Sequence, residues 1–225
     1  MKKRIQILVL LMLVAVTALT ACGGKPAATK TGIVPDSLQT IEGAAEDIID
    51  FAASGNWDKI NTDVTSITDS WKTYQPQAGK DGAQQATQDA LSSALAKLQT
   101  ASAAKDAART MQSANDLSAA VIELFAVYNP KVPADIGRLD VWERQVVLDV
   151  AANNFDAAAV SLAKVKSVWE SVKPSILEHN GKDVAAQFET SIATQEQALT
   201  AKDGATLTSE AKNGLEIVDA LEGLY

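Results

Sequence analysis

Within the stretch "DVWERQVVLD", residues 140 to 149, four polar side chains stand in two pairs four residues apart: Asp140 with Arg144, and Gln145 with Asp149. On a helix that spacing brings each pair together on one face. Trp142 lies among them. If the helix is buried, these groups need partners, and the junction where they find them is where a ligand pocket would form. The candidate ligand groove is therefore Asp140, Trp142, Arg144, Gln145 and Asp149. A second polar concentration is Glu42, Glu46, Asp47 and Asp50, of which Glu42, Glu46 and Asp50 share a helix face. Carboxylates at that spacing suit hard cations such as calcium or iron. Leu38, Ile41, Ala45, Ile48 and Ala52, however, define the buried face of the same helix, and Glu46, Asp47 and Asp50 turn away from it. A solvated acidic face is the expectation there, with no metal site.

The remaining chemistry-bearing residues are few. His179, in "LEHNGKD", is the one histidine, so paired Glu-x-x-His ligation of a di-iron centre is excluded. No G-x-S-x-G elbow or G-x4-G-K-[ST] phosphate loop occurs, and no thiol or hydroxyl has a histidine base in a recognisable arrangement. Neither catalytic residues nor a cofactor is expected.

The elements that must position these groups are helical throughout. Trp57, Ile60, Val64, Ile67, Trp71 and Tyr74 alternate in steps of three and four, with Asn56 placed to cap and Pro76 to stop the run. Phe155, Ala159, Leu162, Val165, Trp169 and Val172 repeat the pattern between Asn154 and Pro174. The two segments align at an offset of 98 residues, and after a one-residue gap Lys105-Asp106 meets Lys202-Asp203 at 97. Agreement in residue type and order reads as an internal duplication. The fold class is therefore all-α, with about eight helices as two tandem, duplicated up-down four-helix units packed together. The first unit spans 36–128, a linker 129–135 includes Asp135 as a cap, and the second unit spans 136–225. In the fifth helix Ile136, Leu139, Trp142, Val146 and Val150 form one stripe, while Val141 and Leu148 lie nearly opposite. A helix apolar on two sides packs between two layers, here its own bundle and the first one, and Trp142 is expected at that junction.

Duplicated four-helix units in exported, often lipid-anchored proteins make this layout similar in architecture to the imelysin-like proteins linked to iron uptake. That family's G-x-H-x-x-E motif has no counterpart: "IGRLDVWERQ" offers Gly137 and Glu143 without a histidine, so no residue role is carried over.

The amino terminus supplies an address. Lys2, Lys3 and Arg4 precede an apolar run from Ile5 to Leu19, about 15 residues and shorter than the roughly 18 to 20 that span a bilayer. The sequence Leu19-Thr20-Ala21-Cys22 resembles the lipobox of bacterial lipoproteins. The resemblance implies cleavage of a signal peptide, residues 1–21, and acylation of Cys22, the one cysteine. Residues 22–35 then form a lipid-anchored flexible tether. Its Gly- and Pro-containing part could extend about 40 Å. The chain carries 20 basic and 28 acidic residues, and losing Lys2, Lys3 and Arg4 would move its net charge from −8 to −11. That balance disfavours nucleic acid. The expected partners are the bilayer, through the acyl chains, and an unidentified protein or small ligand.

Two functional readings result. The first is an extracytoplasmic, membrane-anchored, non-catalytic binding or scaffold module, held outside the plasma membrane or at an outer membrane. The second is a capture protein for a metal ion or small ligand in the groove between the repeats. Cys22→Ser is expected to abolish acylation, measured by palmitate labelling in an exporting host. Persistent labelling would refute the lipobox reading.

Overall fold

The computed structural model describes residues 32–225. The expected signal peptide, Cys22 and most of the expected tether lie outside the described residues. Among those described there are eight helices: α1 (Asp36–Ser54), α2 (Trp57–Asp81), α3 (Gln85–Ala103), α4 (Ala107–Ala126), α5 (Ala134–Ala151), α6 (Phe155–Glu178), α7 (Lys182–Ala201) and α8 (Gly204–Glu222). No described helix is long and apolar enough to cross a membrane.

The helices form two bundles with separate cores. In the first, α1 packs on α2 and α4, and α3 on α4. Their apolar stripes meet around Leu38, Ile41, Ile67, Leu91, Leu98 and Leu117. In the second, α5 packs on α6 and α8, and α7 on α8, around Leu139, Val165, Trp169, Phe188, Leu207 and Val218. Trp71 and Trp169 are both buried, and Trp57 packs at the edge of the first core.

The ends of the helices follow local chemistry. The side chains of Asn56 and Asn154 accept from the backbone N–H groups of Lys59 and Ala157, as N-caps do. Asp106 and Asp203 accept likewise from Arg109 and Thr206. Left-handed backbone closes the preceding turns at Lys105 and Lys202, each with φ 52°. The two bundles correspond in register. Helices α1 and α2 begin 98 residues before α5 and α6, and α3 and α4 begin 97 residues before α7 and α8.

Two expectations need correction. Pro76 and Pro174 do not end their helices: both lie inside, and α2 and α6, at 25 and 24 residues, are the longest of the eight described helices. Each proline sits on an exposed face between buried neighbours, Tyr74 and Ala78 in α2, and Val172 and Ile176 in α6. Burial of that stripe across the proline outweighs the lost backbone hydrogen bond. Asp135 does not cap α5 either. Pro133 occupies the N-cap, and Asp135 lies in the first turn, where it pairs with Arg138 at 2.6 Å and accepts from Ser171.

Helix α5 joins the two halves. It packs on α4 as well as on α6 and α8. Only Ala151, at its end, is exposed; every other residue from Ala134 to Val150 is at least half-buried. Val141 turns toward the first bundle, and its carbonyl accepts from Asn115 of α4 at 3.2 Å. Gly137 permits the approach of the two helices, since a Cβ there would stand 2.6 Å from Ile122 Cδ1.

Interior prolines cost about 3 kcal/mol, partly offset by their restriction of the unfolded chain. Pro76→Ala is therefore expected to stabilise the fold by about 1–2 kcal/mol, read as a higher urea midpoint with unchanged slope.

Candidate functional site

A cleft of about 570 Å³ lies where the two bundles meet. Helix α1 supplies Glu42 and Glu46, one turn apart, and α5 supplies Asp140. Asp219 and Glu222, exposed on α8, form the opposite rim. Ile122 and Phe125 of α4, with Val34 and Val132, provide an apolar lining. Gly32, whose N–H donates to the Tyr128 carbonyl at 2.8 Å, and Pro130 to Ala134 also line the cleft.

Arg144 stands behind the carboxylates. Its Nη2 lies 2.8 Å from Glu46 Oε1 and 2.5 Å from Asp140 Oδ2, tying α1 to α5. Its Nη1 is buried without a hydrogen-bond partner. One guanidinium cannot neutralise all of these acids. Glu42 is pushed up to about 8, first by burial and then by the charge of Glu46 and a shared hydrogen bond with it. Asp140 is pushed up to about 7 by burial, against the pull of Arg144 and with the repulsion of Glu46. Glu46 moves the other way: burial would raise it, but the charge and hydrogen bond of Arg144 hold it below its ordinary value. The cleft at neutral pH is therefore short of positive charge, and part of the deficit is met by protons.

The sequence-derived groove residues divide. Asp140 lines the cleft and Arg144 supports it. Gln145 faces α4 instead, exchanging hydrogen bonds with Gln112 and accepting from Asn115 at 3.0 Å. Asp149 accepts from Gln145 at 2.9 Å and from Ser161 of α6 at 2.6 Å. Trp142 packs on the second core rather than in the cleft. Its indole belongs to the stripe of Leu139 and Val146, so the bundle claims it before the junction can. On α1, Asp47 and Asp50 are exposed as expected, but Glu46 is not part of a solvated face: with Glu42 it is half-buried against α5. Helical angle placed Glu46 away from its own core, and the second bundle covers that side. Sequence reasoning missed Asp219 and Glu222 entirely, because nothing local marks them as neighbours of α1. His179 ends α6, where its ring lies 4.2 Å from that of Tyr225.

A second buried acid lies outside the cleft. Glu143 is fully buried in the second core, and Gln195 Nε2 donates to both its oxygens at 3.0 Å. Gly214 makes room, since a Cβ there would stand 2.7 Å from Glu143 Cδ. The corresponding positions of the first bundle are Ala45, Leu98 and Leu117, all apolar and buried. Aligning the halves would have flagged this trio, since a glutamate faces inward where an alanine does in the first half. Burial pushes Glu143 up to about 8, with the Gln195 hydrogen bond opposing and the charge of Asp140 adding. Gln195 Oε1 is itself buried without a hydrogen-bond partner.

These raised acids give the pH dependence its sign. The folded chain keeps a proton on Glu143 that the unfolded chain, at its ordinary 4.5, releases. Stability therefore falls as pH rises between about 4.5 and 8, by up to ~1.4 kcal/mol per pH unit for each such group. Thermal unfolding is expected at higher temperature at pH 5 than at pH 8. Glu143→Gln should flatten that slope and stabilise the fold at pH 8 while changing little at pH 5.

Among the described residues, no three histidine, cysteine or acidic side chains converge on a point that could hold a metal ion. The acids of the cleft surround a volume instead. No protein-family model matches the chain, and no curated protein and no solved structure shows significant similarity to it.

Proposed function

We propose that this chain is an exported, lipid-anchored, non-catalytic binding module that captures a small ligand in the cleft between two halves derived by internal duplication. The cleft carries the proposal. It has the size of a small-molecule site, and it brings together acidic groups from α1, α5 and α8 over an apolar lining from α4. None of those helices presents such a site alone. Among the described residues the large exposed apolar side chains are Ile33, Val160 and Leu177, and Ile33 itself lines the cleft. That distribution favours capture over scaffolding, which needs a contiguous exposed patch. The duplication is supported by the common register of the helices and by the paired caps. Anchoring through Cys22 would keep the cleft at the outer face of the plasma membrane or at an outer membrane.

The test is native mass spectrometry of the chain from residue 24 onward, purified from an exporting host without chelator. The expected result is a bound mass that is lost from a Glu42→Gln, Glu222→Gln double variant of unchanged helicity. A clean apo mass, with no change in melting temperature across a panel of small cations, anions and neutral solutes, would overturn the capture reading.

A further inference from the structure

We propose that the ligand of the cleft is a small organic cation, an ammonium or guanidinium group on an apolar body, rather than a bare metal ion. This rests on the capture reading and specifies its ligand. The cavity argues for it on three grounds.

The first is the spread of charge. Glu42 and Glu46 on α1, Asp140 on α5, and Asp219 and Glu222 on α8 line a cleft of about 570 Å³. No three of these acids converge closely enough to ligate one ion. Metal ions need oxygens within about 2.0–2.6 Å of a single point. A larger cation with several N–H donors can instead span carboxylates on facing helices.

The second ground is the lining between the acids. Helix α4 contributes only Ile122 and Phe125, and Val34, Val132 and Pro133 continue that surface. An inorganic ion gains nothing from such walls. A hydrocarbon or aromatic body buried on them gains about 25 cal/mol for each Å² removed from water.

The third is the cation already held there. Arg144 reaches the cluster from α5 and is shared by Glu46 and Asp140 at 2.8 and 2.5 Å, which shows the kind of group these acids accommodate. Its pairing leaves Glu42 and the α8 rim for an incoming ligand. Among the described residues the one other cation lining the cleft is Lys131, exposed in the linker. A ligand ammonium beside Glu42 would take the place of the proton that burial and Glu46 favour there. Binding should therefore release a proton near neutral pH, and affinity should rise with pH up to about 8.

The probes are hexylammonium, its neutral analogue hexanol, its anionic analogue hexanoate, and calcium chloride. Each is titrated calorimetrically into the chain from residue 24 onward, in buffers of different ionisation enthalpy, at pH 6, 7 and 8. Hexylammonium is expected to bind one to one, at least tenfold more tightly than hexanol, with measurable proton release at pH 7. Its affinity should rise severalfold from pH 6 to pH 8. Glu42→Gln should reduce the proton release, leaving the share of Asp140, and Glu222→Gln, on the exposed rim, should weaken binding severalfold with helicity unchanged. Equal binding of hexanol, preferential binding of hexanoate or calcium, or the absence of any hexylammonium binding would overturn the inference. In those cases a bound mass found by native spectrometry would leave the capture reading standing, whereas its absence would remove both.

Discussion

Helix α5 has no free face, and most of what is unusual in this molecule arises from that constraint. One side completes the second bundle, the other closes against α4, and α1 reaches it through Glu46. Its polar residues consequently cannot be left to water. Asp140 and Arg144 meet each other and Glu46, Gln145 meets Gln112 and Asn115, Asp149 meets Ser161, and Glu143 meets Gln195. A buried charge without such partners would cost several kcal/mol, so the positions of α1, α4, α6 and α7 are all constrained by one helix. The junction is thus rigidly specified and electrostatically uneasy, with more acids gathered at the adjoining cleft than cations to match them.

The two halves agree at some corresponding positions and differ at others. The Asn56 and Asn154 caps, the Asp106 and Asp203 caps, the left-handed turns at Lys105 and Lys202 and the core stripes match. Other corresponding contacts differ in chemistry. In the first half the Tyr128 hydroxyl donates to buried Asp81 and is hydrogen-bonded to the Tyr74 hydroxyl, whereas in the second Tyr225 packs its ring on His179 and bonds Ser175. In the core, Ala45, Leu98 and Leu117 of the first half face Glu143, Gln195 and Gly214 in the second. The first bundle therefore stands on an apolar core, and the second carries an acid whose protonation is coupled to its stability. Both halves supply acids to the cleft, Glu42 and Glu46 from the first and Asp140, Asp219 and Glu222 from the second, while α4 of the first supplies Ile122 and Phe125 to its apolar lining.

Legibility in the sequence followed the range of the interaction responsible. Period-3.6 stripes such as Ile60, Ile67, Trp71 and Tyr74 announced their helices, because burial of a stripe is a property of one segment. Asn56 and Asn154 announced their caps, because a cap closes within three residues. Pro76 misled, since its local cost was outweighed by burial at Tyr74 and Ala78, which depends on the neighbouring helices. The site behaved the same way. Asp140 and Arg144 could be found as a pair four residues apart, but Glu46 read as solvated and Asp219 and Glu222 gave no signal.

By itself, then, the amino-acid sequence determined the eight helical segments of the described residues in two corresponding sets, the caps at Asn56 and Asn154, the apolar faces and the two-sided character of α5. These are consequences of spacing and side-chain type acting within a few turns. The tertiary structure alone decided which polar faces became interior, that Trp142 serves the second core, and that acids from three helices enclose one cleft. Those outcomes depend on which helix surfaces oppose each other far along the chain, 98 residues apart for Glu46 and Arg144, and no local period encodes that pairing.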